Sequence, residues 1–211
     1  MPPTPRDLYA WLLSAVGYRL YRWRHPDAPL YTPAAIREIE SYLAAAPRRV
    51  FEWGSGGSTI WYAQRAQHVV AVEHAAAWQQ IVAERLRAAG VSAECLFSPP
   101  LTPDSLIGYR WETDWPPYAV LGRAPLRPEY RDYLAAIDAY PDAAFDLIVI
   151  DGKERVGCAP HAIPKLKPGG RLILDDSNRA EYADIFRLLS GWECRRLPLG
   201  RRETTLFIKP V

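Results

Sequence analysis

Cysteine is scarce in this 211-residue chain: Cys95, Cys158 and Cys194 are odd in number and far apart, with no CxxC and no Cys/His cluster. That excludes a disulfide framework and a cysteine-based structural zinc site, and it fits a reducing compartment. Long apolar runs are missing as well. The strongest, LYAWLLSAV at 8–16, is about half of what a bilayer crossing needs, and PPTPRD stands before it instead of a basic leader. We therefore expect no transmembrane segment and no ordinary signal peptide, and a cytoplasmic protein. An excess of charge of one sign is the third absence. The formal net charge is +2; residues 1–50 carry seven basic and four acidic side chains, residues 51–211 nineteen and twenty. No basic stripe for nucleic acid follows from that distribution.

What is present suffices for a core, with 49% hydrophobic and 24% charged residues. Three textures divide the chain. Residues 1–32 form a leader or cap mixing Trp11, Leu12, Tyr18, Tyr21 and Trp23 with Arg19, Arg22 and Arg24. Residues 33–211 read as one domain, interrupted at 99–128 by a Pro/Trp/Tyr-rich insert. The leader could lie on an anionic membrane, cover an acceptor or pack within the chain or a homodimer; the lack of a long clean apolar face favours packing.

Within the domain, strand and helix periods alternate. Thr32 caps and Pro33 opens a helix with Ile36, Ile39 and Leu43 on one face. RRVFEW (48–53) is a buried strand, GSGGST turns into a helix over 58–67, HVVAVE is a second strand, and the next helix closes at Gly90. AECLFS (93–98), FDLIVI (145–150) and 171–175 are further strands, the last following a Pro-Gly-Gly turn. Runs such as VVAV and LIVI between helices indicate a parallel sheet covered on both faces. WECRRLPL and TTLFIKP are separated only by LGRRE, too short for a crossover helix, so they form an antiparallel hairpin at one side.

The glycine turn carries the most specific signal. Gly54, Gly56 and Gly57 let backbone approach a ligand, and Ser58 and Thr59 offer hydroxyls and amides at a helix start. Glu52 beside that turn repels a pyrophosphate and suits an ammonium, while Glu73, 21 residues later at a strand end, can accept both hydroxyls of a ribose. The pair reads as recognition of an amino-acid-bearing nucleoside. His74 either stacks beside the adenine or caps the next turn; Trp78 is core packing in preference to an adenine wall.

These segments together resemble class I S-adenosylmethionine-dependent methyltransferases. FEWGSGGS is similar to that family's acidic glycine-rich motif, VVAVEH to its ribose-binding strand end, FDLIVIDG to its fourth-strand motif and LKPGGRLILDD to the approach to its fifth strand, spanning residues 48–208. The resemblance implies an α/β, three-layer Rossmann-like methyltransferase fold with a seven-stranded, mostly parallel sheet and an antiparallel C-terminal strand. It implies S-adenosylmethionine as cofactor, with Gly54, Ser55 and Gly56 around its methionine part, Glu52 as acidic anchor, Glu73 on the ribose and Ser98 toward adenine, although LFSPP lacks the acidic form often seen there.

Methyl transfer to a hydroxyl needs an in-line nucleophile and a proton acceptor at strand C-termini, and Asp151, Asp175 and Asp176 meet that demand. Strand-end and helix-cap acids are the bland reading of the same three. The sequence is also similar to cation-dependent O-methyltransferases, which use an aspartate after the fourth strand and an Asp-Asn pair after the fifth. Asp176 replaces that asparagine, Asn178 comes too late and DGKER is not aspartate-rich, so a divalent cation is not favoured and no metal ligand is assigned. Lys153 and Arg155 either position the acceptor or are solvated; His161 is a structural histidine before it is a general base; Arg179 and Tyr182 border the acceptor or serve the helix start and packing. In the insert, Tyr109, Trp111, Trp115 and Tyr118 among Arg110, Glu112 and Asp114 suit a planar or sugar-like acceptor, or a packing excursion. We expect a small-molecule hydroxyl acceptor, with an amine or a carbohydrate as runner-up and a non-catalytic nucleoside-binding regulator as the different-class alternative. Nucleic acid is disfavoured: the catalytic half is net acidic and has no Asn/Asp-Pro-Pro-aromatic signature.

Overall fold

A computed structural model describes residues 16–106 and 127–211. Residues 16–24 are helical (α1). The helices that follow are α2 (Pro33–Ala44), α3 (Gly57–Ala63), α4 (Ala76–Ala89), α5 (Arg131–Ala135), α6 (Arg155–Lys165) and α7 (Ala183–Leu188). The strands are β1 (Arg49–Trp53), β2 (His68–Glu73), β3 (Glu94–Phe97), β4 (Phe145–Ile150), β5 (Leu166–Leu174), β6 (Glu193–Leu199) and β7 (Arg202–Ile208). They form one seven-stranded sheet in the order β3-β2-β1-β4-β5-β7-β6. The first five strands pair in parallel, and β7 runs antiparallel to both β5 and β6. The expected hairpin is therefore present, and the Rossmann-like methyltransferase topology with it.

Alternation along the central strands divides the core. Val50, Leu147 and Val149 face the cluster containing Ile36, Ile39, Trp61 and Tyr62 from α2 and α3. Phe51, Trp53, Ile148 and Ile150 face the other cluster, with Tyr133, Cys158 and Ile185 from α5, α6 and α7. A period of two sends successive side chains to opposite faces, and burial of each large one is worth about 1.5–3 kcal/mol. The sheet is thus sandwiched between two helical layers, and its carboxyl edge is left for a site.

Two expectations change. The Pro-Gly-Gly turn is not a turn between elements: β5 already begins at Leu166, and its register with β4 jumps from Phe145–Leu166 to Leu147–Arg171. Gly169 takes φ +71°, and the kink is held in the sheet because Gly169 N donates to the Lys209 carbonyl (2.9 Å) and Lys209 N to that of Gly170 (3.0 Å). The helix before it begins at Arg155 and carries Pro160 and Pro164 inside it, where the sequence HAIPKLK suggests only a short helix.

The described end of the leader is packed inward. Ala28, Tyr31 and Thr32 are buried. Thr32 caps α2 through Ala35 N (3.4 Å), and its own amide donates to Thr204 Oγ1 on β7 (3.1 Å). Tyr21 on α1 donates to Glu40 (2.7 Å) and accepts from the Trp61 indole (2.9 Å). Trp11 and Leu12 lie outside the described residues.

Candidate active site

In this sheet order the chain departs in opposite directions after β1 and β4, and such a reversal leaves a crevice at the strands' carboxyl ends. A cleft of about 320 Å³ opens there. The β1 and β2 ends contribute Gly54, Ser55 and Glu73; the β4 end contributes Asp151, Lys153 and Arg155.

The glycine turn is fixed from several sides. Gly54 N donates to the Val72 carbonyl (3.0 Å), and Glu73 Oε2 accepts from both the amide (3.1 Å) and hydroxyl (3.0 Å) of Ser55. Gly56 N donates to Thr59 Oγ1 (2.9 Å), whose own proton goes to Glu52 Oε2 (2.7 Å). Gly54 sits at φ +92°, where side-chain-bearing residues are strained, and a Cβ on it would stand 2.9 Å from Gly152 Cα. Its smallness thus serves the loop after β4. At Gly56 a Cβ would meet only Ser58 Oγ at 3.7 Å, although Gly56 is buried and stands outside the cleft lining.

The two glutamates differ. Glu73 is fully engaged: its other oxygen, Oε1, accepts from the amides of His74 and Ala75 (2.9 Å each). Glu52 is completely buried, and its Oε1 has no hydrogen-bond partner among the described residues. Burial pushes its carboxyl up to about 8, with Asp151 and Glu73 adding to the rise and the hydroxyls of Ser58 and Thr59 opposing it. Such a carboxyl stays mainly protonated at neutral pH, and a cation brought against it would favour its ionised form.

His74 lies with Nδ1 2.8 Å from Glu73 Oε1 and packs edge-on against Tyr130 and Tyr133. Trp78 departs from the core-packing expectation. It is 42% exposed and lines the cleft, and its indole N–H donates to the Ser55 carbonyl (2.7 Å). Ser98 is half-buried, and its amide donates to the Glu73 carbonyl (2.8 Å), continuing the β2–β3 pairing.

On the acceptor side the three aspartates separate. Asp151 keeps 27% of its side chain open and pairs with Arg155 (Nη2–Oδ1 2.8 Å). Burial first, then Asp175 and Asp176, raise it to about 7 against the pull of Arg155. Asp175 is buried, accepts from Thr204 Oγ1 (2.8 Å) and is raised by burial. Asp176 adopts φ +51° and turns to Arg179 (2.6 Å) and Arg202 (4.0 Å). So Asp151 faces the cleft, Asp175 ties β5 to β7, and Asp176 belongs to a surface ion pair.

Lys153 is exposed on the cleft wall. Tyr182 is buried, with the Arg155 guanidinium 5.6 Å from its ring centroid, so Tyr182 backs the site. His161 is buried with Nδ1 2.8 Å from Asp138 and stands outside the cleft lining, in agreement with its structural reading. Tyr109, Arg110, Trp111, Glu112, Asp114, Trp115 and Tyr118 lie outside the described residues. The insert's roots are tied: Leu101 N donates to the Glu129 carbonyl (2.8 Å), and Arg127 pairs with Glu154 (2.7 Å) beside Lys153.

Sequence reading did not single out Gly152 or Thr59's double role. A Cβ on Gly152 would meet the Tyr133 hydroxyl at 2.0 Å and Gly54 N at 3.0 Å. A glycine two residues after a buried strand, beside a strand-end aspartate, was the available signal. For Thr59 it was the spacing Glu52-x6-Thr59 across a strand–turn–helix unit.

No family model and no curated protein matches the sequence. Solved structures are similar over most of their length. A methyltransferase-like protein from Silicibacter pomeroyi has a TM-score of 0.58 at 21% identity, over 87% of this chain and 90% of the other. The O-methyltransferase from Bacillus cereus in complex with SAH has 0.58 at 17%, over 99% and 93%. An rRNA methylase from Streptococcus thermophilus has 0.56 at 14%, over 87% and 100%. Enzymes with such different names share the architecture, so what the likeness establishes is that this chain carries the class I S-adenosylmethionine-dependent methyltransferase-like Rossmann fold.

Proposed function

We propose that the protein is an S-adenosylmethionine-dependent methyltransferase acting on a small-molecule hydroxyl. The observation that carries this reading is the placing of Glu73 and Asp151 on one crevice at the reversal of strand order, with Glu52 buried beneath the glycine turn. The residues fit the cofactor. Glu52 Oε1, buried and without a partner among the described residues, would suit an ammonium; Gly54 and Ser55 of the turn line the cleft; Glu73 stands at the β2 end for a ribose. When bound, S-adenosylmethionine supplies a methyl group activated by a sulfonium.

The protein's part is orientation and proton removal. Ser55, clamped by Glu73 and Trp78, presents rigid backbone to the donor. Glu73 would accept ribose hydroxyls in exchange for the Ser55 hydroxyl. Asp151, raised to about 7, is matched to take a hydroxyl proton near neutral pH and return it to water. Lys153 beside it would meet an acceptor's polar substituents. Asp175 and Asp176 support the rim instead of touching the acceptor: one is bonded to Thr204, the other to Arg179.

Among the described residues no helix is long and apolar enough to cross a membrane. All three cysteines are unpaired, which supports a reducing, cytoplasmic setting. Incubation with S-adenosylmethionine and a panel of phenols, sugars and amines, read as S-adenosylhomocysteine formed, tests the proposal. Product with hydroxyl compounds is expected; tight cofactor binding without product from any acceptor would leave a non-catalytic nucleoside binder.

A further inference from the structure

The rim where β4 and β5 end gathers carboxylates and outward-facing carbonyls, a donor set that calls for a positive charge. Relatives in fold that use a divalent cation would place it here. The residues do not fit one. Among the described residues no three His, Cys, Asp or Glu side chains converge as a metal site. Asp176 is turned outward to Arg179, and Asp175 Oδ1 accepts from Thr204. A hard divalent cation needs about six oxygens, most of which this rim has committed elsewhere.

Arg155 fills the position. Its Nη2 donates to both Asp151 Oδ1 and the Asp151 carbonyl (2.8 Å each), Nη1 to the Asp175 carbonyl (2.6 Å), and Nε to the Gly152 carbonyl (3.1 Å). The side chain is only 11% exposed, and it lines the same cleft as Asp151 and Lys153. Four donors of one planar group therefore close the ends of two neighbouring strands, a geometry that the rigid guanidinium fork allows and an ammonium does not.

We propose that the Arg155 guanidinium is the resident cation of this rim, excluding a divalent metal and holding Asp151 toward the acceptor. Arg155 is a positioning residue: it acts through Asp151. A metal ion on Asp151 Oδ1 would sit against the like charge of a guanidinium that is only 11% exposed, and Coulomb repulsion in such a partly buried site is stronger than in bulk water. The inference deepens the proposed methyl transfer and rests on it for the acceptor's location, but metal exclusion depends on this chain's residues alone.

The experiment uses the full chain stripped with EDTA and titrated with Mn²⁺, followed by electron paramagnetic resonance, with S-adenosylhomocysteine binding measured in parallel. Wild type is expected to bind no manganese at about 1 mM, and Arg155→Ala, relieved of its cation, to bind it with a Kd of about 0.1 mM or below. Arg155→Met, which keeps most of the stem, replaces the alanine variant if that one does not fold. Manganese on the wild type, or none on a folded Arg155 variant, overturns the proposal. With the acceptor found in the panel, Arg155→Ala should lower kcat about 10²-fold with KM changed about threefold or less, and added guanidinium should restore part of it; an unchanged kcat also overturns it. Loss of S-adenosylhomocysteine binding by the wild type would instead strike the proposed function and leave the manganese result standing.

Discussion

The two halves of the cleft are built differently. On the β1–β2 side, backbone amides and two buried glutamates prepare a surface before any ligand arrives: Glu73 accepts four hydrogen bonds and locks the turn, while Glu52 lies beneath it with one oxygen unpartnered among the described residues. On the β4–β5 side, one guanidinium organises the rim, and of the three strand-end aspartates only Asp151 lines the cleft. Under the proposed function the first half would meet a constant ligand and the second a variable one. A donor common to many enzymes needs fixed backbone; an acceptor site needs side chains that can be exchanged without disturbing it.

Substitutions that separate the halves should break or sharpen this contrast. The largest effect is expected from Asp151→Asn, which should reduce kcat by about 10²–10⁴-fold, the range for loss of a general base, while S-adenosylhomocysteine affinity in calorimetry moves little. Equal losses in both would erase the division. Gly152→Ala comes next, because it strikes the seam: its Cβ would collide with the Tyr133 hydroxyl and Gly54 N, so urea denaturation should show a loss of about 2–3 kcal/mol. Glu73→Ala should weaken S-adenosylhomocysteine binding by roughly 1–3 kcal/mol. It also strands the Ser55, His74 and Ala75 amides, so thermal stability must fall with it, whereas a solvated strand-end acid would change neither.

The smallest effect concerns pH. Glu52 is raised from 4.5 to about 8, so the folded state keeps a proton that the unfolded chain has lost across that window. Folding stability therefore falls as pH rises from about 4.5 toward 8, with Asp151 and Asp175, also raised, contributing in the same direction. Glu52→Gln should flatten that fall, gaining about 1 kcal/mol over wild type at pH 8, or roughly 2–4 °C in Tm. A cationic ligand favours the ionised carboxylate, so cofactor binding at pH 7 should release protons from wild type and fewer from Glu52→Gln, measurable in buffers of different ionisation heat.

Legibility followed the same division. The strand–turn–helix unit around Gly54 and the acid at Glu73 could be read because their signals are local: glycines, strand-end acids and a spacing that the fold preserves. The terminal hairpin was equally readable from the short LGRRE link. Nonlocal partners defeated the rest. The Pro-Gly-Gly segment reads as a turn until Gly169 and Gly170 are seen bonded to Lys209 on the neighbouring strand. Trp78 has core-like helical spacing, yet its indole reaches the Ser55 carbonyl across the cleft. Asp175 and Asp176 are indistinguishable in sequence and divided by a positive φ at the second. Arg155 looks like any charged helix start, since three of its partners are carbonyls from two strands that no motif encodes.

The central claim is that the crevice between β1 and β4 holds a sulfonium nucleoside through the glycine turn and its two glutamates. Its most direct test is calorimetric titration of the full chain with S-adenosylhomocysteine at near-physiological salt. One-to-one binding, weakened in Glu73→Ala and unaltered in Asp151→Asn, is the result this account predicts; a folded wild type that gives no binding heat at any of several temperatures would contradict it.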